Sequence, residues 1–314
     1  DMNGRRAMLM DQPQKAEAPI APLDSSPEER KKLGYNAVAR LAGADCGRFV
    51  GIANYLRDLG FSAPEILDAD TAEGLVLLED LGDALYADVL AAGEDEIAPY
   101  QTAAHLLAEL HIREAPRLLA GDLALFDYDE TALLAETDLL TEWFLPLALS
   151  RAAKESEVAD HRALWRAALA PLLRAPAFFV HRDYHAQNLL WLPQRAGTAR
   201  CGLIDFQDAV RGSRAYDIAS LIEDARRDVS PALAAATIEA YLDRSRASGN
   251  APDEAAFRAE VPIMAAQRNA KIVGIFARLH RRDGKSRYLS YLPRVWNHLE
   301  NDLRHPALAE LRAW

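Results

Sequence analysis

The stretch Phe178-Phe179-Val180-His181-Arg182-Asp183-Tyr184-His185-Ala186-Gln187-Asn188-Leu189-Leu190-Trp191-Leu192 sets a dense polar cluster between two short apolar runs. Apolar runs of this length bounded by polar residues read as strands, so Phe178–His181 and Leu189–Leu192 are expected strands with the polar cluster turning between them. A third run, Cys201–Phe206, follows a turn at Gln194–Arg200 that contains Gly197, and it carries Asp205 seventeen residues after Asn188. Asp is a common turn former at strand ends, and Asp183 or Asp205 alone reads first as structural. His181, Arg182, Asp183 and Asn188 directly after one strand, with Asp205 at hairpin distance, point instead to chemistry. Magnesium takes hard oxygen ligands and keeps several waters, so one Asn and one Asp are enough protein ligation when phosphates complete the shell.

Outward from that loop the chain divides into two textures. The first eighty residues mix strand and helix signals. Arg5–Met10 reads as a strand closed by Asp11-Gln12-Pro13, since proline cannot donate to a ladder, and residues 13–27, with Pro13, Pro19, Pro22 and Pro27, read as an extended loop. Ser26 followed by Pro27 predicts a helix start, with the helix running to about Leu41. A second helix is expected from near Arg48 to Gly60, with Phe49, Ile52, Ala53 and Leu56 on one face. Ala63–Leu67 and Gly74–Asp80 then read as strands joined through the acidic turn Asp68–Glu73. After residues 80–84 helical periodicity takes over, in Ile97–His111, Thr131–Leu149, Val158–Leu173 and nearly everything from Ala215 onward. The expectation is an α+β protein of two units, a small sheet-containing one over 1–80 and a mainly helical one over 81–314, hinged near 80–84.

Composition narrows the function classes. Among 314 residues, 36 Lys+Arg against 47 Asp+Glu leave a net charge of -11, which argues against a protein that grips nucleic-acid backbones. Cys46 and Cys201 are far apart and form neither a disulfide framework nor a zinc pattern. The opening residues carry charges and prolines instead of an apolar signal segment, and no window approaches 18 uninterrupted apolar residues. A soluble cytoplasmic protein with no membrane partner is expected.

His181–Asn188 matches H-R-D-x-x-x-x-N at every fixed position, the catalytic-loop pattern of protein kinases. Together with Gly202-Leu203-Ile204-Asp205-Phe206-Gln207-Asp208-Ala209, Gly212 and Tyr216-Asp217-Ile218-Ala219-Ser220-Leu221 it resembles the aminoglycoside phosphotransferase family of small-molecule kinases. The Asp-Phe-Gln-Asp-Ala form, and Gly274-Ile275-Phe276-Ala277-Arg278-Leu279 followed by Arg282-Asp283-Gly284-Lys285, resemble that family's bacterial anomeric kinases of N-acetylmuramate and N-acetylglucosamine. The likeness covers roughly residues 60–300 and is strongest over 178–222. It implies a two-lobed, protein-kinase-like architecture, ATP and Mg2+ as cofactors, and transfer of the γ-phosphoryl to a sugar hydroxyl in cell-wall sugar recycling. Asp183 would be the catalytic base, with Asn188 and Asp205 holding the metal. The Glu79 carbonyl and Leu81 amide would meet the adenine edge. His181 and Asp217 would support the loop from behind, although Asp217 reads equally well as a helix N-terminal acid complementing the dipole.

The chain departs from the kinase pattern in three places. Asp1-Met2-Asn3-Gly4 precedes the first strand, so either the numbering starts inside the protein or the glycine-rich phosphate loop is missing; a native N-terminal extension by a covering hairpin is expected. The strand that should offer a phosphate-pairing lysine reads Ala7-Met8-Leu9-Met10, which leaves Arg5, Arg6 or an absent segment to supply the charge. Asp-Phe-Gln replaces Asp-Phe-Gly and no Ala-Pro-Glu follows, so a protein substrate is not expected. Other residues carry two readings each. Trp143-Phe144 forms either a wall of a sugar pocket or core. Gln267-Arg268-Asn269-Ala270-Lys271 is by default a solvated face, or else Arg268 and Lys271, three apart on a helix, meet an acidic group such as a lactyl carboxylate. His105 and His111 read as ordinary helix histidines, and Lys15, Glu28–Lys32 and Arg226-Arg227 as surface charge. A kinase for an aminoglycoside or other small alcohol, and a nucleotide-binding regulator without turnover, are the competing functions.

Overall fold

The computed structural model of the protein describes residues 6–12, 20–93 and 95–314. Arg5, Lys15 and the stretch from Pro13 to Pro19 of the predicted loop lie outside these residues.

Strand β1 (Ala7–Asp11) is followed by helices α1 (Pro27–Leu33), α2 (Tyr35–Ala39) and α3 (Cys46–Asp58), then β2 (Ile66–Asp70) and β3 (Leu75–Glu79). The three strands form an antiparallel sheet in the order β1-β3-β2, with Leu9 opposite Leu77. Helix α3 starts at the Asp45 cap and turns Phe49, Ile52, Ala53 and Leu56, all buried, toward the core as the sequence predicts. The helix expected from Ser26 to Leu41 is two helices. Ser26 caps the first in a reciprocal box with Glu29, but Gly34 sits at φ 105° and ends it. The break presents the Ala37 and Val38 carbonyls to the guanidinium of Arg30, which also pairs with Asp129. Arg30, read as surface charge, is therefore buried at 1 % exposure.

The chain then runs through α4 (Tyr86–Ala91), α5 (Ile97–Leu110), α6 (Glu130–Leu139), a π-helical turn (Leu140–Phe144), α7 (Leu145–Leu149) and α8 (Glu155–Leu169). Four short strands follow: β4 (Phe178–Val180), β5 (Leu189–Trp191), β6 (Cys201–Leu203) and β7 (Val210–Gly212). These pair as two antiparallel ribbons, β4 with β7 and β5 with β6. Helices α9 (Ala215–Ile222), α10 (Pro231–Ala247), α11 (Glu254–Arg281), α12 (Leu292–Asp302) and α13 (Ala309–Ala313) complete the chain.

At 28 residues, or about 42 Å at 1.5 Å per residue, α11 is the axis of the helical part and packs against α6, the π turn, α9 and α12. That centrality overturns the solvated-face reading of its middle turn: Gln267, Arg268, Asn269 and Lys271 are all buried. The predicted single helix over 131–149 is interrupted where α11 crosses it. Gly274 lies so close to the end of α6 that a Cβ there would stand 2.3 Å from the Leu139 carbonyl carbon.

In an ordinary helix Gly→Ala stabilises by roughly 0.5–1 kcal/mol. At Gly274 the sign should reverse, because the added methyl meets backbone that cannot swing aside. Gly274→Ala is expected to lower stability by about 1–3 kcal/mol in urea denaturation, and a midpoint equal to or above wild type would refute the close-packing account.

Candidate active site

The polar loop begins where β4 ends. Its second residue, Arg182, adopts φ 74°, a left-handed conformation that costs a non-glycine residue free energy and persists only when its surroundings impose it. Those surroundings are specific. The Asp217 carboxylate, on the first turn of α9, accepts the backbone N–H groups of His181 at 2.6 Å and Arg182 at 3.1 Å. The Arg182 side chain donates to the Arg40 carbonyl at 3.1 Å, pairs with Glu136 and lies 4.8 Å over the Tyr128 ring. Asp217 is 1 % exposed; burial pushes its carboxyl up to about 7, against the pull of the two amide hydrogen bonds. The His181 ring packs edge-on against Tyr184 and Phe206.

Pairing of Leu189 with Leu203 in the β5–β6 ribbon brings Asn188 beside Asp205. The Asn188 amide donates to the Asp183 carbonyl and to Asp205 Oδ2, each at 3.0 Å, while Gln207 donates to Asp205 Oδ1 at 2.9 Å. Asp205 is the second left-handed non-glycine residue of the cleft, at φ 63°. This is why β6 stops at Leu203, short of the predicted Phe206. An amide and a carboxylate in contact offer oxygen donors of the kind hard cations take. Burial would raise the Asp183 carboxyl, but Lys271, His185, Arg182 and Arg268 together hold it below the ordinary aspartate value.

Asn188, Asp205 and Gln207 line a cavity of ≈ 770 Å³ with Met8 and Met10 of β1 and the strip Leu78–Asp83, which includes Glu79 and Leu81. The Glu79 side chain is engaged on its other side by Arg57 at 3.3 Å and Arg195 at 2.8 Å. Asp183, Trp143, Arg268 and Lys271 are not part of this cavity's lining. Trp143 is half-buried in the π turn, where the neighbouring Phe144 packs on Trp296 at 5.1 Å. Arg268 donates to the Glu223 carbonyl at 3.1 Å, and Lys271 donates to the Tyr216 hydroxyl at 3.0 Å and to Glu136 at 3.4 Å.

Three supporting residues escape a reading of the sequence. Glu136, 1 % exposed, accepts from Arg182, Lys271, Tyr128 and Gln267; the available signal is a lone acid on the apolar face of α6. Arg48 of α3 reaches the carbonyls of Gln207 and Ala209, each at 3.2 Å, and so ties the first part of the chain to the segment after Asp205. Burial pushes its guanidinium down to about 10. Asp224 accepts the Ala186 amide at 3.3 Å. His111, the residue that ends α5, is core: it bonds the Tyr241 hydroxyl and the Phe179 carbonyl, and burial pushes it down to about 3. Arg227, read as surface charge, is half-buried and bonds Tyr100 at 2.8 Å.

The model of the phosphotransferase enzyme family known as APH matches residues 36–258. The chain is 44 % identical over 313 residues to an N-acetylmuramate/N-acetylglucosamine kinase of Caulobacter vibrioides, covering 98 % of this chain and 84 % of the relative. It is 33 % identical to a Pseudomonas aeruginosa protein of the same name, covering 85 % and 76 %. Among solved structures, a choline/ethanolamine kinase family protein from Mesorhizobium loti superposes with a TM-score of 0.57 at 16 % identity over 85 % of both chains. A microcompartment-associated aminopropanol kinase does so at 0.54 with 19 % identity over 82 % of both. The two antiparallel ribbons, the small sheet and the helical mass around α11 thus form the two-lobed α+β fold of small-molecule kinases, and the chain belongs to the APH phosphotransferase enzyme family.

Proposed function

We propose that the protein is an ATP- and Mg2+-dependent kinase that phosphorylates the anomeric hydroxyl of N-acetylmuramate or N-acetylglucosamine, in cell-wall sugar recycling in the cytoplasm. The observation that carries this reading is the 44 % identity over nearly the whole chain to a kinase named for those two sugars. The site chemistry agrees with it. No described helix is long and apolar enough to cross a membrane.

In this reading residues 1–80 and 81–314 are the two lobes, hinged at 80–84. The nucleotide enters the cavity between β1 and the Leu78–Asp83 strip, its adenine edge against the Glu79 carbonyl and Leu81 amide. Asn188 and Asp205 would hold magnesium, which when bound would offset charge on the transferring phosphoryl group. The Asp183 carboxylate, ionised at neutral pH, accepts the proton of the sugar hydroxyl as its oxygen bonds to the γ-phosphorus and the bond to the ADP oxygen breaks. Asp217 keeps the loop entry, directly before Asp183, in its left-handed turn. A coupled ATPase assay across N-acetylmuramate, N-acetylglucosamine and an aminoglycoside panel tests the reading. Turnover with either amino sugar, with an anomeric phosphate in the 31P spectrum, is expected; turnover on aminoglycosides alone would overturn it.

The three polar residues should separate in their effects. Asp183→Asn keeps shape but cannot take a proton, so ATP·Mg titration should stay near wild type while kcat falls by about 10²–10⁴. Asp205→Ala removes a charged ligand, so nucleotide affinity and rate should fall together, with Asn188→Ala between. Loss of nucleotide binding in Asp183→Asn, with turnover per bound ATP retained, would make Asp183 a metal ligand instead.

A further inference from the structure

Lys271 is a buried cation that this scheme leaves without a task. It is 8 % exposed, and its ammonium is pinned between the Tyr216 hydroxyl of α9 at 3.0 Å and Glu136 of α6 at 3.4 Å. Both contacts lead back to the residues flanking Asp183. Glu136 Oε1, the oxygen that receives Lys271, also receives the Arg182 guanidinium. Tyr216 precedes Asp217, whose carboxylate holds the His181 and Arg182 amides.

The charge balance points the same way. One buried carboxylate, Glu136, faces two buried cations, Arg182 and Lys271. Two cations on one carboxylate tie Arg182 and Lys271 to each other through Glu136, and Asp183 is the next residue in the chain after Arg182, so the backbone that carries it is held by the same cluster.

We propose that Lys271 is a positioning residue for phosphoryl transfer, holding Asp183 from beneath through Glu136 and Tyr216, and not a contact of the acceptor sugar. The inference rests on the reading of Asp183 as the group that receives the hydroxyl proton.

Lys271→Met keeps the stem volume and leaves Glu136 paired with Arg182, so the chain should still fold; Tyr216→Phe removes only the hydroxyl that Lys271 donates to. Each is compared with wild type by steady-state kinetics with ATP·Mg and each amino sugar, and by amide hydrogen exchange of the free protein. In Lys271→Met, kcat should fall by about 10²-fold, the effect of a small misplacement of a reacting group. KM values should stay within about threefold, and exchange across 181–188 should quicken while 231–247 is unchanged. Tyr216→Phe should show the same pattern in smaller measure, and Lys271→Arg should recover part of kcat.

A kcat within about twofold of wild type in Lys271→Met would overturn the proposal. So would a raised sugar KM at unchanged kcat and unchanged exchange, which is the signature of an acceptor contact. Wild-type protein inactive on both sugars would sink the proposed function separately. The exchange comparison would then still decide whether Lys271 holds the loop, with unchanged exchange over 181–188 counting against it.

Discussion

The candidate site hangs on one buried carboxylate. Glu136 collects hydrogen bonds from Arg182, Lys271, Tyr128 and Gln267, and so joins α6, the segment before it, α11 and the polar loop at one point. Burial works against its charged form, but Lys271 and Arg182, helped by the two neutral donors, keep its carboxyl below the ordinary glutamate value. Removing Glu136 itself would strand Arg182 and Lys271 in low dielectric, a loss of about 3–5 kcal/mol. A hydrophobic residue at 136 would leave Arg182 without its carboxylate partner, in a backbone conformation it does not favour.

That conformation is the second constraint. Arg182 and Asp205 both have positive φ, and each follows closely on a short ribbon strand. A three-residue strand makes few ladder bonds and cannot impose such a turn alone. The turn at Arg182 is imposed by Asp217 from one side and Glu136 from the other. At Asp205 the hold comes from Asn188 and Gln207, one on each carboxylate oxygen. A site built this way has its geometry fixed by side chains from two helices, the polar loop and the segment after β6, and it trades local backbone preference for placement.

The sequence is legible where its signals are local. The spacing from His181 to Asn188 and on to Asp205 lies within one ribbon, and the apolar face of α3 and the Ser26 cap follow from neighbours three and four apart. What it hides depends on distant packing. Gly34 divides a helix because Arg30 needs the Ala37 and Val38 carbonyls and reaches Asp129, 99 residues away. The π turn after Leu139 becomes intelligible only when α11 is seen crossing at Gly274. Strand β7 is three residues long and α4 six, too short for periodicity to register. The polar run from Gln267 to Lys271 looks like a wet face because single-chain patterning cannot show that every side of a central helix is covered.

Only six of the 36 basic residues are lysine, and the buried ones show why arginine dominates. Arg40 donates to the carbonyls of Pro22 and Leu23, Arg48 to those of Ala124, Gln207 and Ala209, and Arg182 to that of Arg40. In each case the acceptors lie on irregular backbone whose carbonyls no ladder satisfies, and an unpaired buried carbonyl costs about as much as a lost hydrogen bond. A guanidinium has five donors in a fixed fork and reaches several such groups at once, which an ammonium on a flexible stem does less well. In a chain whose strands run three to five residues, these side chains do for the loops what hydrogen-bonded ladders do for a larger sheet. Lys271 stands apart from them: its donors go to a hydroxyl and a carboxylate, with no backbone carbonyl among its partners. Its place is therefore set by charge and not by the need to satisfy main chain.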